Sequence, residues 1–218
     1  MPPTVSDTAP PAASSAASPT VLTRSVRYHA DGGALLEHLT RAGLLRTVDC
    51  GDGPGVRPVD CVLLESADIT TKASRTTVAV LETSAKLTCW GGTVTAEALS
   101  TVDGEGPGVD GLAALARLEE RLGEHVIDRS PGGLTLSLPT SADDDPTIEE
   151  RERLTALSTI EPLRVLAQAE VDHPHLPLEA GAFAFDYLST FESLPEVAQG
   201  ANTCPDYLFY DARIILVV

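Results

Sequence analysis

Positive charge is what this chain has least of. Fifteen Lys and Arg stand against 32 Asp and Glu in 218 residues, a formal net charge of −17. Nucleic acid and anionic membrane surfaces both require a basic patch, so this balance argues against either partner. Long apolar runs are missing too. No stretch approaches the roughly 18 apolar residues of a transmembrane helix. The first 20 residues contain no Lys or Arg and no apolar segment, so they do not read as a secretory signal, and the chain reads as cytoplasmic.

Paired metal-ligand and nucleophile motifs are absent as well. The four cysteines, Cys50, Cys61, Cys89 and Cys204, are far apart and form no CxxC pair. A structural zinc site or a disulfide framework is therefore not indicated, and reduced, buried thiols are expected. Of the five histidines only His173 and His175 are close, around Pro174. Two ligands without a third at known spacing read as a loop between a helix and a strand, not a metal centre. The runs Gly51-Asp52-Gly53-Pro54-Gly55 and Gly104-Glu105-Gly106-Pro107-Gly108 are Gly-rich but lack a following Lys-Ser/Thr. They are surface loops and not phosphate cradles. No serine or cysteine lies in a GxSxG-type context.

What is present is enough apolar residue, 43%, to bury a core. Residues 1–20 are Ala, Ser, Pro and Thr with one Asp and are expected to be a disordered tail; order is expected from Val21 onward. Asp31 to Gly43 carries Ala34, Leu35, Leu36, Leu39 and Ala42 at helical spacing, with Asp31 as cap and Gly43 as stop. Cys61 to Leu64 is a short apolar run. Thr76–Leu81 and Ala85–Trp90 are Thr- and Val-rich strands that Glu82-Thr83-Ser84 is expected to join as a hairpin, and Gly91-Gly92 turns the chain into Thr93-Val94-Thr95, giving an antiparallel meander.

Asp110 to Leu122 is an amphipathic helix, with Leu112, Leu115, Leu118 and Leu122 on one face, Asp110 as cap and Gly123 as stop. Leu134 to Leu138 alternates like a half-buried strand. Residues 141–153 are a charge run read as a solvated loop leading into a helix. Ser158 and Glu161 have capping-box spacing ahead of Pro162 and an apolar face of Leu163, Leu166 and Ala167. Phe183, Phe185 and Tyr187 alternate as a strand opening at Gly181. Asn202 to Asp206 is a turn. Tyr207 to Val218 is a last β run whose five closing apolar residues suit a buried central strand, so the chain looks cut rather than finished. The pattern as a whole is α+β and rich in antiparallel sheet, with sandwich-like layers and flanking helices.

One segment carries more polar chemistry than a strand end needs. Leu63-Leu64-Glu65-Ser66-Ala67-Asp68-Ile69-Thr70-Thr71-Lys72 offers a carboxylate, hydroxyls and free backbone groups. An amino-acid zwitterion can be held that way, its ammonium on a carboxylate or carbonyl and its carboxylate on a hydroxyl or N–H. The same residues also fit an ordinary strand-to-loop transition with Ser66 or Asp68 capping a turn.

Leu63-Leu64-Glu65-Ser66 resembles the LLES element near the start of anthranilate synthase component I, the chorismate-using subunit of tryptophan biosynthesis. Three further landmarks follow in the family's order. Arg151 to Glu161 resembles the segment before its central helix. Gly181-Ala182-Phe183-Ala184-Phe185-Asp186-Tyr187 with Phe191-Glu192 and Leu194-Pro195 resembles its GGxFxYD…FE-LP strand. Asn202-Thr203-Cys204-Pro205-Asp206-Tyr207 resembles its N-x-CPD turn.

The resemblance spans about residues 24–218. It implies that residues 21–218 are the N-terminal, regulatory region, an incomplete part of the chorismate-utilising fold that stops before the catalytic half. It implies an L-tryptophan feedback site with Ser66 contacting the effector and Glu65 and Leu64 beside it. Arg153 and Cys204 match positions linked to feedback sensitivity and would support the pocket or its coupling. The implied partners are a glutaminase subunit (component II) that supplies ammonia, and the C-terminal chorismate-binding half, where Mg²⁺ is held. No catalytic residue and no metal ligand is implied within this chain, which alone is expected not to turn over. Ala180 stands for the first Gly of the family's pair, the two Gly-Pro-Gly loops look like insertions, and Thr76 stands where many relatives carry Lys. The alternative is a stand-alone module that binds tryptophan or the glutaminase.

Overall fold

The computed structural model describes residues 21–25, 32–51, 55–65, 77–102, 104–140, 155–169, 171, 173–190 and 204–217. The expected tail (1–20), the charge run (141–153), Ser66, Arg153 and the first residues of the Asn202 turn lie outside them. Elements follow in the order α1 (Gly32–Arg41), β1 (Thr47–Asp49), β2 (Val56–Pro58), β3 (Val62–Glu65), β4 (Thr77–Trp90), β5 (Thr93–Ala98), α2 (Val109–Leu122), β6 (Val126–Ser130), β7 (Gly133–Ser137), α3 (Glu161–Ala167), β8 (Glu179–Phe183) and β9 (Tyr207–Val217). Short 3₁₀ turns follow α2 and β8. The fold is α+β with antiparallel pairing throughout, as the strand-rich sequence implies. A seven-stranded sheet runs β6-β7-β5-β4-β9-β8, with β3 also on β4, and β1 and β2 form a separate two-stranded sheet. No helix among the described residues is long and apolar enough to cross a membrane.

The centre of the sheet departs from the expected hairpin. Glu82-Thr83-Ser84 does not turn. It stays inside one 14-residue strand, β4. None of the three residues favours the positive φ that a tight hairpin turn uses, and each polar side chain finds a partner without leaving the strand. Glu82 pairs with Arg213 at 2.8 Å, Thr83 Oγ1 donates to the Asp60 carbonyl at 3.0 Å, and Ser84 Oγ donates to the Asp211 carboxylate. The cost appears as register shifts against β9 between Val80 and Ala85. The meander is likewise corrected: β3 and β5 lie along the same edge of β4, pairing with its first and last residues, while β9 takes the other edge.

The core lies between the sheet and two helices. Ala85, Leu87 and Cys89 of β4, Val94 and Ala96 of β5, Leu134 and Leu136 of β7 and Tyr207 of β9 pack against Ala114, Leu115, Leu118 and Leu122 of α2 and Leu163 and Leu166 of α3. Each fully buried leucine contributes on the order of 2–3 kcal/mol relative to an exposed one. The α2 face is rotated from expectation. Gly111 and Ala114 are buried, and Leu112 is exposed. Gly108 and not Asp110 caps the helix, and Gly123 is right-handed and continues into the 3₁₀ turn instead of stopping the chain. The capping box does not form: Ile160 is the N-cap of α3 and no side chain caps it, while Ala167 is exposed.

Other boundaries hold. Gly43, at φ +69°, ends α1 with its N–H on Thr40 and the Leu44 N–H on Leu39, the paired bonds of a left-handed helix stop. Gly91-Gly92 turns β4 into β5. β7 sits where alternation puts it and β9 where the closing apolar run puts it, whereas β1, β2 and β6 carry no such signal. The Phe183–Tyr187 strand stops at Phe183. A 3₁₀ turn then swings Tyr187 back to stack on Phe183 with centroids 5.1 Å apart, leaving Phe185 85% exposed. Among the described residues strand β9 is paired on both edges over Tyr207–Asp211, where β8 covers it; beyond that Ile214 and Val217 are exposed.

Gly111 sets how closely α2 approaches the sheet. A Cβ there would sit 2.3 Å from the Ser84 carbonyl oxygen and 2.9 Å from the Ala98 Cβ. Gly111→Ala should therefore invert the usual helix preference. Instead of the roughly 1 kcal/mol gain of Ala over Gly inside a helix, it is expected to destabilise the chain by about 1–3 kcal/mol in urea unfolding.

Candidate functional site

The candidate site is the far end of β3. Leu64 and Glu65 lie opposite Val78 and Thr77 of β4, and Val78 lies opposite Val217 of β9, so three strands end side by side there. Leu64 is 44% exposed and Glu65 is exposed beside it. Leu63 points into the protein, where its side chain meets the first turn of α1. A Cβ on Gly32 would come within 3.0 Å of Leu63 Cδ1. The apolar run thus anchors the strand through one residue and presents the next two.

The near end of β3 is pinned by Asp60. Its backbone takes φ +52°, a left-handed conformation that Asp tolerates better than most residues. Its carbonyl accepts from Thr83 Oγ1, its carboxylate accepts from Arg46 at 2.7 Å, and the Tyr210 hydroxyl lies close enough to feel its charge. Burial, and then the Asp60 charge, push the Tyr210 hydroxyl up to about 12, so it is a donor at any physiological pH. Burial first and Asp60 second also push the Cys61 thiol up, which leaves it protonated and unreactive. Strands β3, β4 and β9 therefore converge on one residue, five positions before Glu65.

Of the other residues singled out from sequence, Cys204 is exposed and stands just before β9, near the end of β4 where Cys89 pairs with Tyr207. Leu64 and Glu65 lie at the opposite end of that ladder, roughly 35 Å away at about 3.3 Å per residue. The structure does not bring them together. The expectation of buried thiols holds for Cys89, which burial pushes up to about 12, and fails for Cys204. The His173–His175 loop is a tight turn in which the His175 N–H donates to His173 Nδ1 at 3.2 Å, so that nitrogen is already engaged. Among the described residues no group of three or more His, Cys, Asp or Glu could hold a metal ion. Asp60 was missed from sequence. Its signal, a lone Asp between Val59 and Cys61 ahead of a strand, is one that many loops share.

Fold and site together define an α+β domain on a single large antiparallel sheet, one strand of which ends in an exposed leucine and carboxylate. Known proteins narrow this class. No protein-family profile matches the chain. Over about three quarters of its length it is a homologue of the N-terminal region of anthranilate synthase component 1. The protein of that name from Salmonella typhimurium is 35% identical over 174 residues, which is 78% of this chain and 30% of that protein. The one from Escherichia coli is 33% identical over the same length. The Pseudomonas aeruginosa anthranilate synthase component 1, pyocyanine specific, is 33% identical over 156 residues, covering 71% of this chain and 27% of that protein. The chain thus spans about a third or less of the relatives it matches.

Asp60→Ala removes the acceptor for Arg46 and places Ala in a left-handed conformation. It is expected to cost about 1–3 kcal/mol and to raise amide exchange at Leu63 and Glu65 more than at Leu134 and Leu136. Asp60→Asn, which tolerates the backbone and keeps an acceptor, should lose less on both measures.

Proposed function

We propose that this chain is the N-terminal, tryptophan-feedback regulatory part of an anthranilate synthase component I, the subunit that makes anthranilate and pyruvate from chorismate and ammonia in tryptophan biosynthesis. The supporting observation is the placement of Leu64-Glu65, from the LLES element, at an exposed strand end whose other end is fixed through Asp60. In this reading the Glu65 carboxylate or a β3 carbonyl takes the ammonium of L-tryptophan, Ser66 takes its carboxylate, and Leu64 lies against the side chain. Charge-assisted hydrogen bonds of this type are about twice as strong as neutral ones. Arg153 supports the pocket or its coupling, and Cys204, at the other end of the β4–β9 ladder, acts in coupling.

Effector binding can inhibit only by favouring an inactive arrangement, so it must bind the two states differently. The chorismate-binding half, with its Mg²⁺, and the glutaminase subunit that delivers ammonia are the partners this reading requires. A net charge of −17 is compatible with such partners and with no nucleic acid.

Calorimetric titration of the purified chain with L-tryptophan tests the reading. Saturable binding that Ser66→Ala weakens by about tenfold or more, the loss expected for one charge-assisted hydrogen bond, would support it. A chain that is folded by circular dichroism and binds no tryptophan would overturn the assignment of the effector site to these residues. Binding of a glutaminase subunit without tryptophan would favour the docking module instead.

A further inference from the structure

A second polar cluster lies on the face of the sheet that α2 covers. Glu179 of β8 is the direct cross-strand partner of Asp211 of β9, and Asp211 is in turn the partner of Ala85 of β4. Both carboxylate oxygens of Glu179 are buried, and among the described residues no donor reaches them. The donors nearby are used otherwise. Ser84 Oγ, from β4, donates to the Asp211 carboxylate. Arg213, two residues along β9, is held by Glu82 at 2.8 Å and Asp110 at 2.7 Å. Arg117, from α2, is a cation that faces Glu179, and its Nε is itself buried with no acceptor among the described residues.

Two facing carboxylates cannot hydrogen-bond to each other, because neither can donate. Left ionised in a buried site they repel, and each unsatisfied oxygen carries its full desolvation cost. One proton removes both problems. Held on Glu179, it becomes the missing donor, an O–H to the Asp211 carboxylate, which is among the strongest hydrogen bonds available. It also brings Glu179, Asp211 and Arg117 to zero net charge, where the fully ionised set would be an anion under a helix. We propose that Glu179 and Asp211 share one proton at neutral pH, and that this proton latches edge strand β8 onto β9.

Burial first, and then the Asp211 charge and hydrogen bond, push the Glu179 carboxyl up to about 9, against the opposing pull of Arg117. The strand it holds also carries Gly181 and Phe183, whose ring packs on Tyr187, Tyr207 and Phe209. Loss of the proton therefore loosens an edge strand and the aromatic cluster built on it.

The sign follows from the raised carboxyl. The folded chain keeps a proton that the unfolded chain releases, so the contribution is complete below the ordinary carboxylate range. It is lost as pH rises toward about 9. Urea unfolding of the full chain at a series of pH values between about 6 and 9 should show the folding equilibrium constant falling by up to about tenfold per pH unit relative to Glu179→Gln. The glutamine variant supplies a permanent N–H in place of the proton. Parallel pH profiles for the two chains would overturn the proposal. Should Glu179→Gln fail to fold, carboxyl-carbon NMR titration of the unmutated chain reads the same proton. One glutamate titrating above about pH 7, and moving down in Asp211→Asn, supports the latch; a full set of carboxyls ionised by about pH 6 overturns it.

Discussion

The structure depends on the pairing of β4 with β9. Fourteen residues of one strand and eleven of the other run side by side, and every other strand of the large sheet is attached to one of them directly or through β5. The ladder joins residues far apart in sequence; Ser84 and Asp211, which share a hydrogen bond, are 127 positions apart. Such contacts return their energy only after a large loop has been closed, so β4 cannot complete its sheet until the C-terminal residues arrive. Strand β3, with Leu64 and Glu65, is attached to the same ladder and shares this dependence.

The polar residues inside that ladder are held by one another. Glu82, Thr83 and Ser84 are three consecutive buried polar residues at the middle of β4, and β9 answers with Asp211 and Arg213, while Asp60 and α2 add an acceptor and Asp110. Buried groups of this kind stabilise a fold only when each has a partner. Here most do; among the described residues the buried atoms left without a partner are one oxygen of Glu82, whose other oxygen pairs with Arg213, and groups of Glu179 and Arg117, which face each other. The register shifts between Val80 and Ala85 are the backbone's accommodation to this set, and they fall between the end of the sheet that carries the candidate site and the end that carries the core.

The kinship with the N-terminal region of anthranilate synthase component 1 gives this layout a context. The homologous span is about 30% of those proteins. An allosteric reading requires that the strand end presenting Glu65 be rigidly tied to the rest of the sheet, since an effector can bias two states only through groups that move together. Asp60, bonded to Thr83 of β4 and to Arg46 ahead of β1 and lying beside Tyr210 of β9, supplies such a tie.

The sequence alone determined the elements whose signals are local. The 3.6-residue repeat of leucines placed α2, alternation placed β7, and the apolar run of β9 and the Gly91-Gly92 turn were legible because period and turn chemistry act over a few residues. The landmarks from Leu63 to Tyr207 pointed to the family, and relatives bear this out. What the tertiary structure decided was every feature whose partner is distant. Glu82-Thr83-Ser84 has the composition of a turn and becomes strand because Arg213, Asp60 and Asp211 meet it. Ser158 has the spacing of a cap and is not one. Gly111 is buried because a carbonyl of β4 lies beneath it. Glu179 and Asp211 are ordinary acidic residues in the sequence, and only the pairing of β8 with β9 sets their carboxyls face to face. A propensity sums over neighbours in the chain, whereas desolvation, charge and close packing depend on neighbours in space.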